Sequence, residues 1–299
     1  MPARFLDPLR GALSSLAVGL NTLLMTLAMV PPALLKLLVP VAAVRVPADR
    51  ALNALAATWV ACNNAWIAAV RPAARWQVQG VQDLDPRRWY LVTSNHQSWV
   101  DILVLQRIFH GHAPFLKFFL KRELIWVPVI GLAWWALDFP FMRRGSSRGA
   151  RGNDLEATRR ACEKFKRLPT SVMNFLEGTR FTAEKHAEQK SPYRHLLKPK
   201  VGGLGIALAT MGGQFDSLLD VTIVYPQGRP TFADLLCGRV EQVIVHVQPR
   251  QIPADLAGAP AGAERAQHRR LTRWVEQQWL DKDELIERLL HPAGRPPAP

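Results

Sequence analysis

Hydrophobic and polar residues are spread unevenly along this chain. From Gly11 to Val44 a single charged side chain, Lys36, stands among Leu, Val, Ala and Met. As a helix, Gly11–Val30 alone would span ~30 Å, enough for a bilayer core. Pro31-Pro32 is expected to interrupt it, leaving Ala33–Val44 too short to cross back by itself. A secretory signal peptide would be shorter and end in a small-residue cleavage site, and a buried core helix would need a complete protein coat. The segment therefore reads as membrane-embedded. Arg4 and Arg10 precede it while Arg45 and Arg50 follow it, so charge selects no crossing direction. That balance suits a helix–break–helix dipping into one leaflet, and a simple crossing also fits the length.

Residues 51–70 read as one more helix, ended by Pro72, and past Arg75 the pattern changes. Short apolar runs bounded by turn residues predict strands at Trp76–Gln79, Tyr90–Ser94, Ala113–Phe119, Leu137–Met142, Val172–Leu176, Val221–Tyr225 and Val240–Val247. Helices are predicted from Trp99 to about Phe109, over Ile125–Ala136, from Asn153 or Asp154 to about Lys166, and over Gly202–Met211. The Ile125–Ala136 helix is apolar nearly all round, with Trp126, Val129, Leu132, Trp134 and Trp135, so it is buried in protein or partly in lipid. Residues 182–200 read as a polar loop, and Ala263–Leu290 as an amphipathic pair of helices. Alternating strands and helices predict an α/β fold: a central mostly parallel or mixed sheet flanked by helices. The implied organisation is an N-terminal membrane-associated region over 1–72, an α/β domain over 73–290 and a disordered tail over 291–299.

The hydrophobic fraction is 48%, within the soluble range, so the apolar excess is local. Net charge is +14, which first suggests nucleic acid. No zinc spacing, nucleic-acid motif or aromatic–basic β platform supports that partner. Anionic lipid headgroups fit better, each nearby Lys or Arg contributing about 1 kcal/mol. Cys62, Cys162 and Cys237 lack paired spacing, and the eight histidines form no helical ligand pair, so neither a disulfide framework nor a metal site is expected. A reducing, cytoplasm-facing domain follows.

Two strings carry chemistry. In Asn95-His96-Gln97-Ser98-Trp99-Val100-Asp101, a histidine follows a strand end and an aspartate falls in the next helix's first turn, with Ser98 as N-cap candidate. Asp101 could then fix the tautomer of His96 and leave its other nitrogen as a general base. The plainer alternative is that Asp101 favours the helix start and His96 fills a turn. In the second string, Ser171–Leu176 leads into Glu177-Gly178-Thr179-Arg180, where Gly178 permits a tight turn and Arg180 offers a fork of donors suited to phosphate. Alone it also reads as an ordinary strand-to-loop turn.

Together the strings resemble the glycerolipid acyltransferase family, whose founding activity acylates 1-acyl-glycerol-3-phosphate. The family's His, four residues, Asp is matched by His96 and Asp101, and its Glu-Gly-Thr-Arg block by Glu177, Gly178, Thr179 and Arg180. Phe115–Lys117 through Lys121, Gly131 and Phe141-Met142-Arg143-Arg144 resembles the block that helps hold the glycerol phosphate, with Arg144 at the family's usual arginine. Leu197–Gly203 and Asp220–Tyr225 are similar to a subgroup that includes eukaryotic lysophospholipid acyltransferases, although Thr222 stands where many members have proline. The resemblance covers about residues 75–230.

It implies acyl transfer from acyl-CoA or acyl carrier protein to the free hydroxyl of 1-acyl-glycerol-3-phosphate (lysophosphatidic acid), giving phosphatidic acid, with His96 as base and Asp101 orienting it. Arg144 and Arg180 would hold the phosphate, supported by Lys117 or Lys121, with Glu177 bracing Arg180. Backbone N–H groups near Gly178, or at a helix start, are candidate oxyanion donors. No metal or cofactor is implied beyond the acyl donor, and the expected partners are membrane phospholipids and the lysophospholipid acceptor. The expected location is the inner (plasma) membrane with the catalytic domain facing the cytoplasm. A different lysophospholipid acceptor, or a non-catalytic membrane adaptor of the same fold, are the alternatives. A hydrolase fits less well, because no Gly-x-Ser-x-Gly string is present.

Overall fold

The computed structural model describes residues 7–39, 41–142, 159–160, 162–257 and 264–291. Arg144 lies outside these residues, as do Arg143, the predicted helix start at Asn153 or Asp154, and the tail from Pro292.

The chain opens with two long helices, α1 (Asp7–Leu38) and α2 (Ala42–Val70), packed against each other. Contrary to expectation, Pro31 and Pro32 lie inside α1, which runs on to Leu38. A proline in a helix interior costs about 3 kcal/mol, so tertiary packing must offset it. That packing is visible. Met29 and Ala33, on either side of the proline pair, are buried in the same core as Leu52 and Ala56 of α2. Further along, Asn21 Nδ2 donates to the Trp59 carbonyl at 3.1 Å and to Asn63 Oδ1 at 2.9 Å. Near the turn, Lys36 pairs with Asp49 of α2 at 2.7 Å and with Asp138, and donates to the Ala136 carbonyl at 3.2 Å. The second arm is 29 residues long and joins the end of the apolar segment to the helix expected over residues 51–70.

Helix α1 is the one described helix long and apolar enough to cross a membrane, and only 17% of its apolar window is buried. Leu13, Leu16, Leu20, Leu24 and Leu27 stand exposed along it.

Strands β1 (Arg75–Gln79), β2 (Tyr90–Ser94), β3 (Leu116–Phe118), β6 (Ser171–Phe175), β7 (Ser217–Val224) and β8 (Gln242–Arg250) form one sheet in the order β1-β8-β7-β2-β6-β3. All its pairings are parallel except β7 with β8, so the sheet is mixed with a parallel centre. Each face has its own core. Val92, Met173 and Val221 pack beneath α1, α2, α3 (Val100–Phe109) and α4 (Ile130–Ala136). Leu91, Val172 and Leu218 pack beneath α6 (Gly202–Met211) and α8 (Glu264–Leu290). The alternation of Leu91 and Val92 shows the strand period dividing one run between two layers.

Several boundaries differ from expectation. The helix foreseen from Ile125 begins at Ile130, preceded by a 3₁₀ turn over Arg122–Trp126. Pro128 disfavours helix at Val127, which is extended, and Val129 adopts φ 68°. The expected strand over 113–119 is only β3 (Leu116–Phe118), and that over 137–142 only β5 (Phe141–Met142), which pairs with an unforeseen β4 (Leu120–Lys121) in a separate two-stranded sheet. The polar stretch 182–200 contains α5 (Ala183–Gln189), capped by Thr182 Oγ1 accepting from the Lys185 amide at 3.3 Å. A further short helix, α7 (Phe232–Leu236), carries a Thr231/Asp234 capping box. The expected C-terminal pair is one helix, because Leu271, Val275, Trp279, Lys282 and Ile286 continue a single buried stripe without a break.

Register decides where chemistry can occur. Ser94, at the end of β2, lies opposite Phe175 on β6 and Val221 on β7. The loops leaving these three parallel strands therefore emerge at the same sheet edge, where α/β folds gather functional groups.

Candidate active site

The β2 exit is tied down before the chain reaches His96. Asn95 is buried, its amide nitrogen donating to the Ile223 carbonyl at 2.8 Å and its oxygen accepting from the Ile223 amide at 2.9 Å. This pair mimics one more rung of the ladder and fixes the turn against β7. Ser98 Oγ then accepts from the Val100 amide at 3.1 Å, although the N-cap position of α3 falls at Trp99 and not at Ser98 as expected.

Asp101, in the first turn of α3, is fully buried. Its Oδ2 lies 2.9 Å from His96 Nδ1 and accepts from the backbone amides of Gln97 at 2.6 Å and Ser98 at 2.8 Å. Its Oδ1 accepts from the Tyr225 hydroxyl at 2.6 Å. A carboxylate in this setting takes donors only, so the hydrogen belongs on Nδ1 and the lone pair on Nε2. Burial, and then Asp101 itself, raise the Tyr225 phenol well above its ordinary range, keeping it a donor. The His96 ring stacks on Phe175 with centroids 3.9 Å apart and planes at 13°. Two contacts thus fix the ring: a carboxylate at one edge and an aromatic face beneath.

Glu177 does not brace Arg180. Its Oε1 accepts from the His96 amide at 2.6 Å and its Oε2 from the Leu197 amide at 3.0 Å. Burial pushes its carboxyl up to about 8, against the opposing pull of those two amides. It is an internal strut holding the His96 backbone, not a group facing substrate. Gly178 adopts φ 67°, and a Cβ there would lie 3.1 Å from Lys200 Cδ, so the turn calls for glycine. Its amide donates to the Phe175 carbonyl at 2.9 Å and is thereby committed to the turn rather than to an oxyanion. Thr179 Oγ1 accepts from Lys185 Nζ at 2.9 Å.

Arg180 is exposed, and its guanidinium lies 4.8 Å from the Trp99 ring centroid, at the entrance to α3. A second guanidinium, missed from sequence, joins it. Arg229 Nε donates to Gln97 Oε1 at 2.6 Å, and the group sits 3.9 Å over Phe181, whose amide donates to the His96 carbonyl at 2.8 Å. Burial lowers the Arg229 guanidinium while the nearby Glu177 carboxylate raises it. Tyr225 was also missed as a site residue. One signal was available for both: like Arg180, they follow a strand leaving this edge, and Arg229 comes directly after a glycine with φ 99°.

The two lysines do not join this group. Lys117 is buried, with its amine 4.9 Å over the Phe165 ring, in a small cavity lined by Asp49, Asp138, Lys164 and Arg167. Burial pulls it down to about 8. Its β3 neighbour Phe118 points to the other side and reaches Phe175 at 6.0 Å. Strand alternation therefore separates Lys117 from His96, which corrects its assignment to the phosphate. Lys121 is exposed on β4, in the small second sheet.

Thr222, the departure from proline, faces inward: its Oγ1 lies 3.2 Å from Lys282 Nζ, which also pairs with Asp220 at 2.6 Å. Burial pushes the Cys162 thiol up to about 12, in keeping with a packing role. Among the described residues no group of three His, Cys, Asp or Glu could hold a metal ion.

Comparison with known proteins places this geometry. The pattern of the family described as Acyltransferase matches residues 75–225. Lysocardiolipin acyltransferase 1 of Danio rerio is 28% identical over 223 residues, covering 69% of this chain and 53% of that protein. The 1-acyl-sn-glycerol-3-phosphate acyltransferase epsilon of Mus musculus is 24% identical over 226 residues, covering 64% and 56%. The chain thus spans about half the length of the curated relatives it matches. A crystal structure of the 1-acyl-sn-glycerophosphate acyltransferase PlsC from Thermotoga maritima is 21% identical, covering 87% of this chain and 97% of that one at a TM-score of 0.45. Because the family match takes in half of the sequence and contains both charged strings, this chain belongs to the acyltransferase family.

Proposed function

We propose that the protein transfers an acyl chain from a thioester, acyl-CoA or acyl carrier protein, to the free hydroxyl of a lysophospholipid, with 1-acyl-glycerol-3-phosphate as acceptor and phosphatidic acid as product. The observation that carries this reading is the 2.9 Å contact of His96 Nδ1 with Asp101 Oδ2, which leaves Nε2 free to accept a proton.

His96 Nε2 removes the hydroxyl proton as the acceptor oxygen attacks the thioester carbonyl. The tetrahedral intermediate collapses, the C–S bond breaks, and the imidazolium returns its proton to the leaving sulfur. Asp101 holds the ring and stabilises the imidazolium, as Tyr225 holds Asp101. The acceptor alcohol is itself the nucleophile, so the route needs neither an acyl-enzyme nor a metal. General-base assistance contributes roughly 10²–10⁴-fold, and positioning of the two substrates supplies much of the rest. Arg180 and Arg229 flank the His96 loop and suit bidentate contact with the acceptor phosphate. Arg144 is a third candidate through the family resemblance.

Acceptor and product both reside in a bilayer, which accounts for an α/β domain carrying the exposed leucines of α1. We place the protein at the inner membrane, its catalytic domain facing the cytoplasm and its donor.

The test is transfer of labelled acyl chains from acyl-CoA and from acyl carrier protein to lysophosphatidic acid and a panel of other lysophospholipids, with His96→Ala alongside. Product from lysophosphatidic acid is expected, reduced at least ~10²-fold by the substitution. Undiminished transfer by His96→Ala would eliminate the base. Activity confined to other acceptors would redirect the substrate, and no transfer to any acceptor would favour an adaptor.

A further inference from the structure

We propose that the 3₁₀ turn and α4 form a second membrane seat, in which Trp126, Val129, Leu132 and Trp135 enter the headgroup–acyl boundary of the leaflet that α1 contacts. The inference rests on the membrane reading of α1 and adds to it a site within the catalytic domain.

Trp126 is 84% exposed, Leu132 46% and Trp135 40%, with Val127 and Val129 each at 38%. Five large apolar side chains within ten residues, all turned outward, are unusual on a soluble face. Tryptophan is the side chain best suited to the zone between headgroups and acyl chains.

The patch is built rather than frayed. The Gly131 amide donates to the Val127 carbonyl at 2.9 Å, and the Ile130 amide to the Pro128 carbonyl at 2.8 Å. A Cβ on Gly131 would lie 2.2 Å from the Ile125 carbonyl oxygen, so the turn is folded hard against the start of α4. Val129, a β-branched residue at φ 68°, is held in a conformation it rarely adopts. That strain keeps an apolar side chain outward, where water gives it no reward.

What covers the patch follows from its neighbours. The inner side of α4, Ala133 and Ala136, shares a core with Met29 and Ala33 of α1, and Lys36 of α1 donates to the Ala136 carbonyl at 3.2 Å. The α4 patch is thereby fixed beside the stretch of α1 where Leu34 (47% exposed), Leu35 (50%) and Leu38 (75%) face outward. Lys121 just before the turn and Arg122 at its first position are exposed and outnumber the one exposed acid beside them, Glu123, so the near end of the patch offers net positive charge to anionic headgroups. One lipid surface meets all of these.

The experiment uses the full chain with Cys62, Cys162 and Cys237 replaced by Ala, reconstituted into vesicles of phosphatidylcholine and phosphatidylglycerol. An environment-sensitive fluorophore is attached at Trp126→Cys, at Leu20→Cys on α1, or at Glu188→Cys on α5. Positions 126 and 20 should emit to the blue and be quenched by spin-labelled lipid, while 188 responds only to an aqueous quencher. If 20 reports lipid and 126 reports water, the second seat is overturned and the membrane reading of α1 stands. If both report water, both fall. A blue-shifted signal at 126 that ignores lipid quencher points to a protein partner or a second copy and also overturns the proposal. As an independent readout, Trp126→Ser with Trp135→Ser should lose activity several-fold on acceptor in vesicles and retain it on detergent-dispersed acceptor. Equal activity in both settings counts against the seat.

Discussion

Two of this molecule's clusters of buried charge are built on opposite plans. At the β2 exit, one carboxylate receives four donors: the His96 ring, two backbone amides and the Tyr225 hydroxyl. At the junction of α1, α2 and α4, charges answer charges: Lys36 bridges Asp49 and Asp138, and Lys164 meets Asp138 at 2.7 Å. The first arrangement saturates Asp101 in order to leave one nitrogen of its neighbour unspent. The second is used up in joining the helical hairpin to the sheet. Burial of ionic groups is common to both, so it does not by itself mark chemistry. An unspent lone pair beside exposed cations does.

Breaking each cluster should therefore have a different signature. Asp101→Asn replaces an all-acceptor group with one that presents donors, favouring the wrong imidazole tautomer. Turnover should fall ~10²–10⁴-fold with little change in acceptor KM, as read by steady-state kinetics. Lys36→Met leaves Asp49 and Asp138 short of their cation. A loss of about 3 kcal/mol or more of stability is expected in thermal unfolding, with kcat per folded molecule unchanged. A fall in kcat without loss of stability would show that the two clusters are not separate.

Tyr225→Phe sharpens the contrast by taking one donor from Asp101 and nothing else from the site. A hydrogen bond to a charged group is worth roughly 1.5–3 kcal/mol, so kcat should drop roughly 10- to 100-fold, with the pH–rate profile displaced. An unchanged profile would reduce Tyr225 to a packing residue.

A further break lies in pH dependence, through Glu177. Its folded pKa of about 8 lies above the ordinary 4.5, so the folded state binds the proton more readily than the unfolded chain. The stability it contributes is fully present below about 4.5 and is lost as pH rises through 8. Denaturation midpoints should decline over that window in the parent and less steeply in Glu177→Gln. Parallel curves would mean the carboxyl is ionised throughout.

How far the sequence reveals this arrangement depends on separation along the chain. His96 and Asp101 are five residues apart, so a strand end and one helical turn suffice to bring them together. Strand β2 and helix α6 fall where their apolar runs and flanking turns put them. Tyr225 reaches Asp101 across 124 positions, and only the pairing of β2 with β7 makes that contact. A basic residue in a short strand carries no sign of which face it will take, so the resemblance points Lys117 to the phosphate while the strand turns it toward Phe165. Local propensity marks the Pro31-Pro32 pair as a break, and packing against α2 overrides it. The charge junction was illegible for the same reason: Lys36, Asp49 and Asp138 come from three separate elements.

Strand β2 is buried along all five residues and bonded to neighbours on both sides. Such a strand belongs to the part of a protein that opens last, and amides there exchange with solvent only through global unfolding. The imidazole hangs two residues beyond it, laced to β7 through Asn95. Heating should therefore not extinguish activity ahead of the fold: inactivation and collapse of the sheet will trace one curve.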